Sequence, residues 1–344
     1  MSSPSQVLVL GAGNYGTCLA QHLAEQGHQV VIWSRSPDVV LEINTKRKNP
    51  KYLSHITLSS RIRAINNVDD ETLAKCGYLI ISTPTQSMRE VLGQFKGKKC
   101  DHLLIICASK GIEIGTLLLP IDIIREVMGE KAAEHSAILS GPSFAAEVII
   151  RQPTAVSVAS KNAESARRAQ ALFHAAHFRA YSSLDPIGLE VAGALKNVIA
   201  IAAGAAKGIG FQSNTAAAIL TRGLAELTRV GVALGANPLT FTGLGGVGDL
   251  FLTCTSEKSR NFTVGFRLGK GESLKQIIDT VGSVAEGVTT AKAAHQLRLK
   301  LQLDLPIIEQ VYKVLYEDKP IVQAVTDLIT REAREEIELP AMKT

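Results

Sequence analysis

Apolar residues in the first half of the chain come in short, almost unbroken runs. These predict strands at Gln6–Leu10, Gln29–Trp33, Tyr78–Ser82, Leu103–Cys107, Ala137–Ser140, Thr154–Ala159 and Phe178–Ser182. Runs without polar alternation suit parallel strands covered on both faces. Helical stretches such as Tyr15–Gln26 and Thr116–Met128 lie between them, so the expected fold is a right-handed, doubly wound α/β sheet. The pattern changes at Asp185-Pro186, where a good N-cap precedes a proline suited to the first helical position. Beyond it the β signal nearly stops. Helices are predicted at Ile187–Lys207, Asn214–Leu234, after Arg260, and at Thr289–Leu299, Ile307–Tyr316 and Ile321–Ile329. The 344 residues therefore divide into an α/β domain (1–185), an all-helical domain (186–334) and a charged tail (335–344).

The first strand runs into Gly11-Ala12-Gly13-Asn14-Tyr15-Gly16. A Gly-x-Gly-x-x-Gly spacing that follows a strand and opens a helix suits a dinucleotide. Gly11 permits the tight turn, Gly13 lets a pyrophosphate approach, and Gly16 lets the helix pack on the sheet. The helix N-terminus then faces the anion. The alternative is a purely structural turn. An NAD-preferring site places a carboxylate at the end of the second strand; here Ser34-Arg35-Ser36 stands there. A guanidinium flanked by hydroxyls suits a 2′-phosphate, which favours NADPH; otherwise Arg35 is a solvated loop residue. Ser82-Thr83-Pro84-Thr85 reads equally as a cofactor-flanking segment or an ordinary turn.

Further groups fall at strand ends and in the second half. Lys110, in Ala108-Ser109-Lys110-Gly111, projects over the sheet's carboxyl edge or is a surface lysine. Ser140-Gly141-Pro142-Ser143 combines a permissive glycine, a helix-starting proline and a hydroxyl, and reads as an anion-binding helix start or a routine cap. On the first long helix of the second half, Lys196 shares a face with Ala192, Gly193, Ala200 and Ala203. A desolvated lysine becomes usable in proton transfer; the alternative is a snorkelling side chain on a close-packed helix. Gly243–Leu250 is too apolar for a linker. It predicts a close backbone passage and then a helix headed by Asp249, whose carboxylate can orient Lys196. Ser259, Arg260 and Asn261 together suit a phosphate. Glu286 either meets a cofactor amide or hydroxyl or is simply solvated.

Composition narrows the classes. With 46% hydrophobic and 20% charged residues, the chain is globular and not a disordered tail. Lys+Arg 37 against Asp+Glu 32 leaves +5, too mild and dispersed for a nucleic-acid footprint. Five cysteines without a Cys-x-x-Cys predict reduced thiols in the cytoplasm. The histidines, His174 and His177 included, form no metal motif, so no metal is expected. Met-Ser-Ser-Pro-Ser does not look like a signal peptide. Val191–Ala206, broken by Lys196 and Asn197, is not expected to span a membrane.

These motifs, in this order, resemble NAD(P)-dependent glycerol-3-phosphate dehydrogenase of the bacterial type. They are GAGNYGT, ASKGIE, SGPSFAAEV, EVAGALKNVIAIAAG, GLGGVGDL, SRN and VAEG, and the match runs from about Gln6 to about Ile329. The resemblance implies a Rossmann domain followed by a helical domain. It also implies interconversion of dihydroxyacetone phosphate and sn-glycerol 3-phosphate with NADPH (or NADH), a homodimer, and supply of glycerol backbones to phospholipids. It assigns proton transfer to Lys196, assisted by Lys110 and Asp249. Substrate contacts fall to Lys110, Gly141, Ser143, Lys196, Asp249, Thr253, Ser259, Arg260 and Asn261. Cofactor contacts fall to Gly11, Gly13, Asn14, Tyr15, Gly16, Arg35, Lys110, Ala145, Arg260, Val284 and Glu286. Asn14 departs from the family's usual Ser, and Arg151 stands where a Gly is usual. The residues alone also admit an NADPH-linked reductase of another keto or hydroxy acid, or a non-catalytic dinucleotide sensor.

Overall fold

The computed structural model describes residues 5–281, 285–333, 335 and 336. The predicted cofactor contact Val284 lies outside the described residues, as does the expected tail apart from Glu335 and Glu336. The chain forms two units. One contains the residues up to Lys110 together with Leu118–Leu189; the other contains Gly111–Leu117 and the chain from Glu190. No change of composition marks the grouping of Gly111–Leu117 with the second unit.

The strands of the first unit are β1 (Gln6–Leu10), β2 (Gln29–Trp33), β3 (Ile62–Ile65), β4 (Cys76–Ile81), β5 (Leu104–Cys107), β6 (Ala137–Ser140), β7 (Thr154–Ala159) and β8 (Phe178–Ser183). They form one sheet in the order β3-β2-β1-β4-β5-β6-β7-β8. The helices are α1 (Asn14–Glu25), α2 (Pro37–Lys46), α3 (Asp70–Lys75), α4 (Thr85–Gly93), α5 (Pro120–Met128), α6 (Glu130–Glu134), α7 (Ala145–Val148) and α8 (Ala163–Phe173). Val7 and Val9 of β1 enter one apolar cluster, Leu8 and Leu10 the other. Burial on both faces explains the unbroken apolar run.

Several expectations are corrected. β3 was not predicted: it is a four-residue edge strand whose Arg63 is exposed, so its apolar signal is short and interrupted. The sheet is not wholly parallel, because β7 pairs antiparallel with β6, and β8 follows β7. The helix expected from Thr116 begins at Pro120, the residue preset for a first helical position. Pro142 does not start a helix; α7 begins at Ala145 and has only four residues. His174 and His177 share no helix face, since α8 ends at Phe173. Arg151 adopts φ 61°, the left-handed conformation that glycine takes freely, and it pairs with Glu25 at 2.9 Å.

The second unit is built on α9 (Pro186–Gly208), α10 (Ser213–Ala233), α11 (Asp249–Thr255), α12 (Arg260–Gly269), α13 (Leu274–Val281), α14 (Glu286–Leu301), α15 (Pro306–Tyr316) and α16 (Ile321–Ile329). Asp185 caps α9, its Oδ1 accepting the Gly188 N–H at 3.0 Å. By length and composition α9 could cross a membrane, but 89% of its most apolar window is buried within the protein. A helix apolar all round is stable when other helices surround it.

Glycines set the closest of these packings. A Cβ on Gly204 of α9 would lie 2.0 Å from the Phe262 carbonyl oxygen, and one on Gly265 of α12 would lie 2.0 Å from that of Ile201. Gly208 and Gly269 meet the facing backbone in the same way. This seam brings α12, and the turn that starts it, against the lysine-bearing helix α9.

Candidate functional site

In the first unit the glycine turn lies at the carboxyl end of β1, where β1 neighbours β4 and the strand order reverses. Ligands bind at such switch points in open α/β sheets. Gly11 has φ +110°, and a Cβ there would stand 2.7 Å from the Ser82 carbonyl oxygen. A Cβ on Gly16 would strike the Gly11 carbonyl oxygen at 1.9 Å, whereas one on Gly13 would meet nothing within 4 Å. The turn is thus closed beneath and open at its middle residue. Gly13 caps α1 without a side-chain bond, leaving its first turn available to an anion. Thr83 Oγ1, next to Gly11, is buried without a hydrogen-bond partner. These features fit a dinucleotide.

Tyr15 and Ser143 meet, hydroxyl to hydroxyl, at 2.9 Å, and Ser143 Oγ donates to the Gly141 carbonyl at 3.1 Å. Ala145 opens α7. Asn14 and Arg35 are exposed; Arg35 lies just past β2, where Ser36 precedes Pro37 at the start of α2. Lys110, half-buried, is the last residue of the first unit before the chain passes into Gly111–Leu117.

In the second unit Lys196 Nζ donates to Asp249 Oδ1 at 2.5 Å and to Thr253 Oγ1 at 2.8 Å. The Thr253 hydroxyl donates to the Asp249 carbonyl at 2.6 Å. Asp249 heads α11 at the end of the glycine-rich passage. The chain coils there as a π-turn, Leu244–Gly248, and a Cβ on Gly246 would meet the Phe241 carbonyl oxygen at 2.2 Å. Cys254 shares these apolar surroundings, and burial pushes its thiol up to about 12. A buried ammonium is tolerated because a carboxylate and a hydroxyl replace its water shell.

Ser259 caps α12 by accepting the Phe262 N–H, and the exposed Arg260 and buried Asn261 form the first turn. That turn presents a helix N-terminus together with a guanidinium, a combination suited to a phosphate. Asn261 Nδ2 donates to Asn197 Oδ1 at 2.9 Å, and Asn261 Oδ1 accepts the Gly287 N–H at 3.0 Å. Half-buried Glu286 is the first residue of α14.

Sequence reasoning passed over two residues. Asn197 was given no role, although its position beside Lys196 was a signal. Asn49 donates to the Ala12 carbonyl at 2.9 Å and to Thr17 Oγ1 at 2.8 Å, fixing the glycine turn from a distant loop; no local pattern announces it. Thr253 rested on resemblance alone, although its spacing of four from Asp249 on a helix already placed the two on one face.

A Rossmann-type α/β unit with an open glycine turn, joined to a helical unit holding a buried lysine–aspartate pair, has the build of a two-domain, dinucleotide-linked dehydrogenase. Residues 6–166 match the family model of the NAD-dependent glycerol-3-phosphate dehydrogenase N-terminus, and residues 185–326 match that of its C-terminus. The chain belongs to the NAD-dependent glycerol-3-phosphate dehydrogenase family. It is 44% identical over 331 residues to glycerol-3-phosphate dehydrogenase [NAD(P)+] of Citrifermentans bemidjiense, covering 96% of this chain and 98% of the relative. It is 46% identical to the Myxococcus xanthus enzyme of the same name, with the same coverage. The crystal structure of glycerol-3-phosphate dehydrogenase from Coxiella burnetii superposes with a TM-score of 0.90 at 34% identity, over 95% of this chain and 99% of that one.

Proposed function

We propose that the chain catalyses the reversible NAD(P)H-dependent reduction of dihydroxyacetone phosphate to sn-glycerol 3-phosphate, supplying the backbone of glycerophospholipids. The observation that carries this reading is the pairing of Lys196 with Asp249 and Thr253 in the same unit as the Ser259-Arg260-Asn261 helix start. A proton donor and a phosphate cradle are the two groups that a phosphorylated ketone requires.

The Gly11–Gly16 turn, with Asn14 and Tyr15, holds the cofactor pyrophosphate, and Arg35 meets a 2′-phosphate, giving preference to NADPH. Arg260, Ala145 and Glu286 complete the cofactor contacts. A nicotinamide held there would supply the hydride that the substrate carbonyl carbon accepts. Arg260, Asn261 and Ser259 hold the phosphoryl group, with Gly141, Ser143 and Thr253 completing the substrate contacts. Lys196 gives a proton to the carbonyl oxygen as negative charge grows there, and Asp249 keeps the amine oriented. Lys110 stabilises that charge.

The protein acts as a homodimer in the cytoplasm. Exposed apolar side chains on the helical unit, Leu239, Phe251, Leu299, Val322 and Ile329, offer surface for a second copy. The five cysteines are free and buried, as suits a reducing compartment. Light scattering after size exclusion tests the dimer.

The reaction is tested by loss of absorbance at the reduced-nicotinamide band, with NADPH and NADH in turn. Oxidation with dihydroxyacetone phosphate but not with ketoacids supports the reading. Oxidation with a ketoacid alone would make the protein a different reductase. Cofactor binding without turnover would make it a sensor.

A further inference from the structure

We infer that Asn197 is a positioning residue, acting through Asn261 to hold the start of α14 and with it Glu286. The inference rests on the proposed function for the role of Glu286. Its physical basis is a chain of three hydrogen bonds within the helical unit. Asn197 Nδ2 donates to the Gly193 carbonyl at 3.4 Å, a long and weak contact. Asn261 Nδ2 donates to Asn197 Oδ1, and the Gly287 N–H donates to Asn261 Oδ1.

The two ends dictate the middle. A backbone N–H can only donate, so Asn261 must turn its oxygen to Gly287 and its NH2 to Asn197. Asn197 must then present its oxygen to Asn261 and its own NH2 to Gly193. Each amide has one orientation, set by main-chain groups of α9 and α14. Both side chains are buried, so water does not compete for these bonds.

Gly287 leaves no slack. A Cβ there would stand 2.6 Å from Asn261 Oδ1 and 2.7 Å from the Asn197 carbonyl oxygen. The first turn of α14 is thus seated on both asparagines. Glu286, the residue before Gly287, takes its position from that seat. The Asn261 oxygen and one hydrogen of its NH2 are occupied by this chain, which leaves its second hydrogen, with Arg260 and the helix start, to take the phosphate.

The consequence is that a residue outside the cofactor set governs cofactor binding. Removing the Asn197 oxygen leaves the Asn261 NH2 buried without an acceptor, and the amide loses its reason to face Gly287. NADPH binding without substrate, measured by calorimetry, is expected to weaken about tenfold in Asn197→Ala, the scale of one buried hydrogen bond. Asn197→Asp keeps the oxygen that accepts from Asn261 but turns a second oxygen toward the Gly193 carbonyl, and is expected to restore part of the affinity lost in Asn197→Ala. In a Glu286→Gln background, Asn197→Ala should add almost nothing. Exchange of the Gly287 amide hydrogen should be faster in Asn197→Ala than in the wild type, with or without cofactor.

Unchanged NADPH affinity in Asn197→Ala, an additive effect in the Glu286→Gln background, or unchanged Gly287 exchange would each overturn the inference. A wild-type protein that binds no NADPH would instead sink the proposed function, while the exchange rate would still report on the hydrogen-bond chain.

Discussion

Asp249 receives the Lys196 ammonium at 2.5 Å in a place where both side chains are almost closed to solvent, 2% and 8% exposed. Breaking such a pair from one side leaves a buried charge without its counterion, which costs about 3–5 kcal/mol. Asp249→Leu and Lys196→Met are each expected to destabilise the protein, and the double variant to lose less than the sum. Urea unfolding of the four proteins measures the coupling. Lys196→Met should also lower turnover by ~10²–10⁴-fold, the usual share of a proton donor, with NADPH affinity nearly intact. Turnover close to wild type would remove Lys196 from the chemistry.

The α9–α12 seam should tolerate no added methyl group. Gly204→Ala places a carbon 2.0 Å from the Phe262 carbonyl oxygen, and backbone cannot step aside as a side chain can. The helices must separate, costing about 1–3 kcal/mol or more. The Ser259-Arg260-Asn261 turn moves with α12, so KM for dihydroxyacetone phosphate should rise as well. Gly93→Ala, where nothing lies within 4 Å, serves as the control and should leave both stability and KM unchanged.

Glu226 of α10 predicts a pH dependence. Its carboxylate oxygens accept the Ile307 and Ile308 N–H groups at 2.6 and 3.0 Å, capping α15 from another helix. Burial, the largest influence, raises its pKa from 4.5 to about 7, against the lowering effect of those two bonds. The folded form therefore holds this proton at a pH where the unfolded chain has released it. The stabilisation from this group is full below about 4.5 and lost as pH rises through about 7. The melting temperature of the wild type relative to Glu226→Gln should fall between pH 5 and pH 8, and two parallel curves would refute the assignment.

The proposed contact of Arg35 with a 2′-phosphate predicts a cofactor preference. Arg35→Ala should raise KM for NADPH about tenfold or more, the value of a charge-assisted contact, and leave KM for NADH unchanged. Equal effects on both would show that the guanidinium does not meet the 2′-phosphate.

Much of this molecule is readable along the chain because its signals are local. Apolar runs mark the buried strands, and seven of the eight appear within a few residues of their places. The exception, β3, is an edge strand, and an edge strand needs only one apolar face. The glycine turn is legible because strand, glycines and helix start are contiguous. Asp185 and Pro186 announce α9 for the same reason.

Relationships between distant segments were less legible. The sequence offered Asp249 as able to orient Lys196, but the contact itself spans 53 positions and no period encodes it; the coiling of Leu244–Gly248 against Phe241 brings the carboxylate to the amine. The antiparallel entry of β7, the grouping of Gly111–Leu117 with the helical unit and the Asn197–Asn261–Gly287 chain are likewise invisible to periodicity. Residue order carries element type, caps and turns, because backbone sterics and hydrophobic period act over a few neighbours. Partnership between side chains far apart in sequence was settled by packing, because close contact there depends on which helices can approach once glycine removes the intervening carbon.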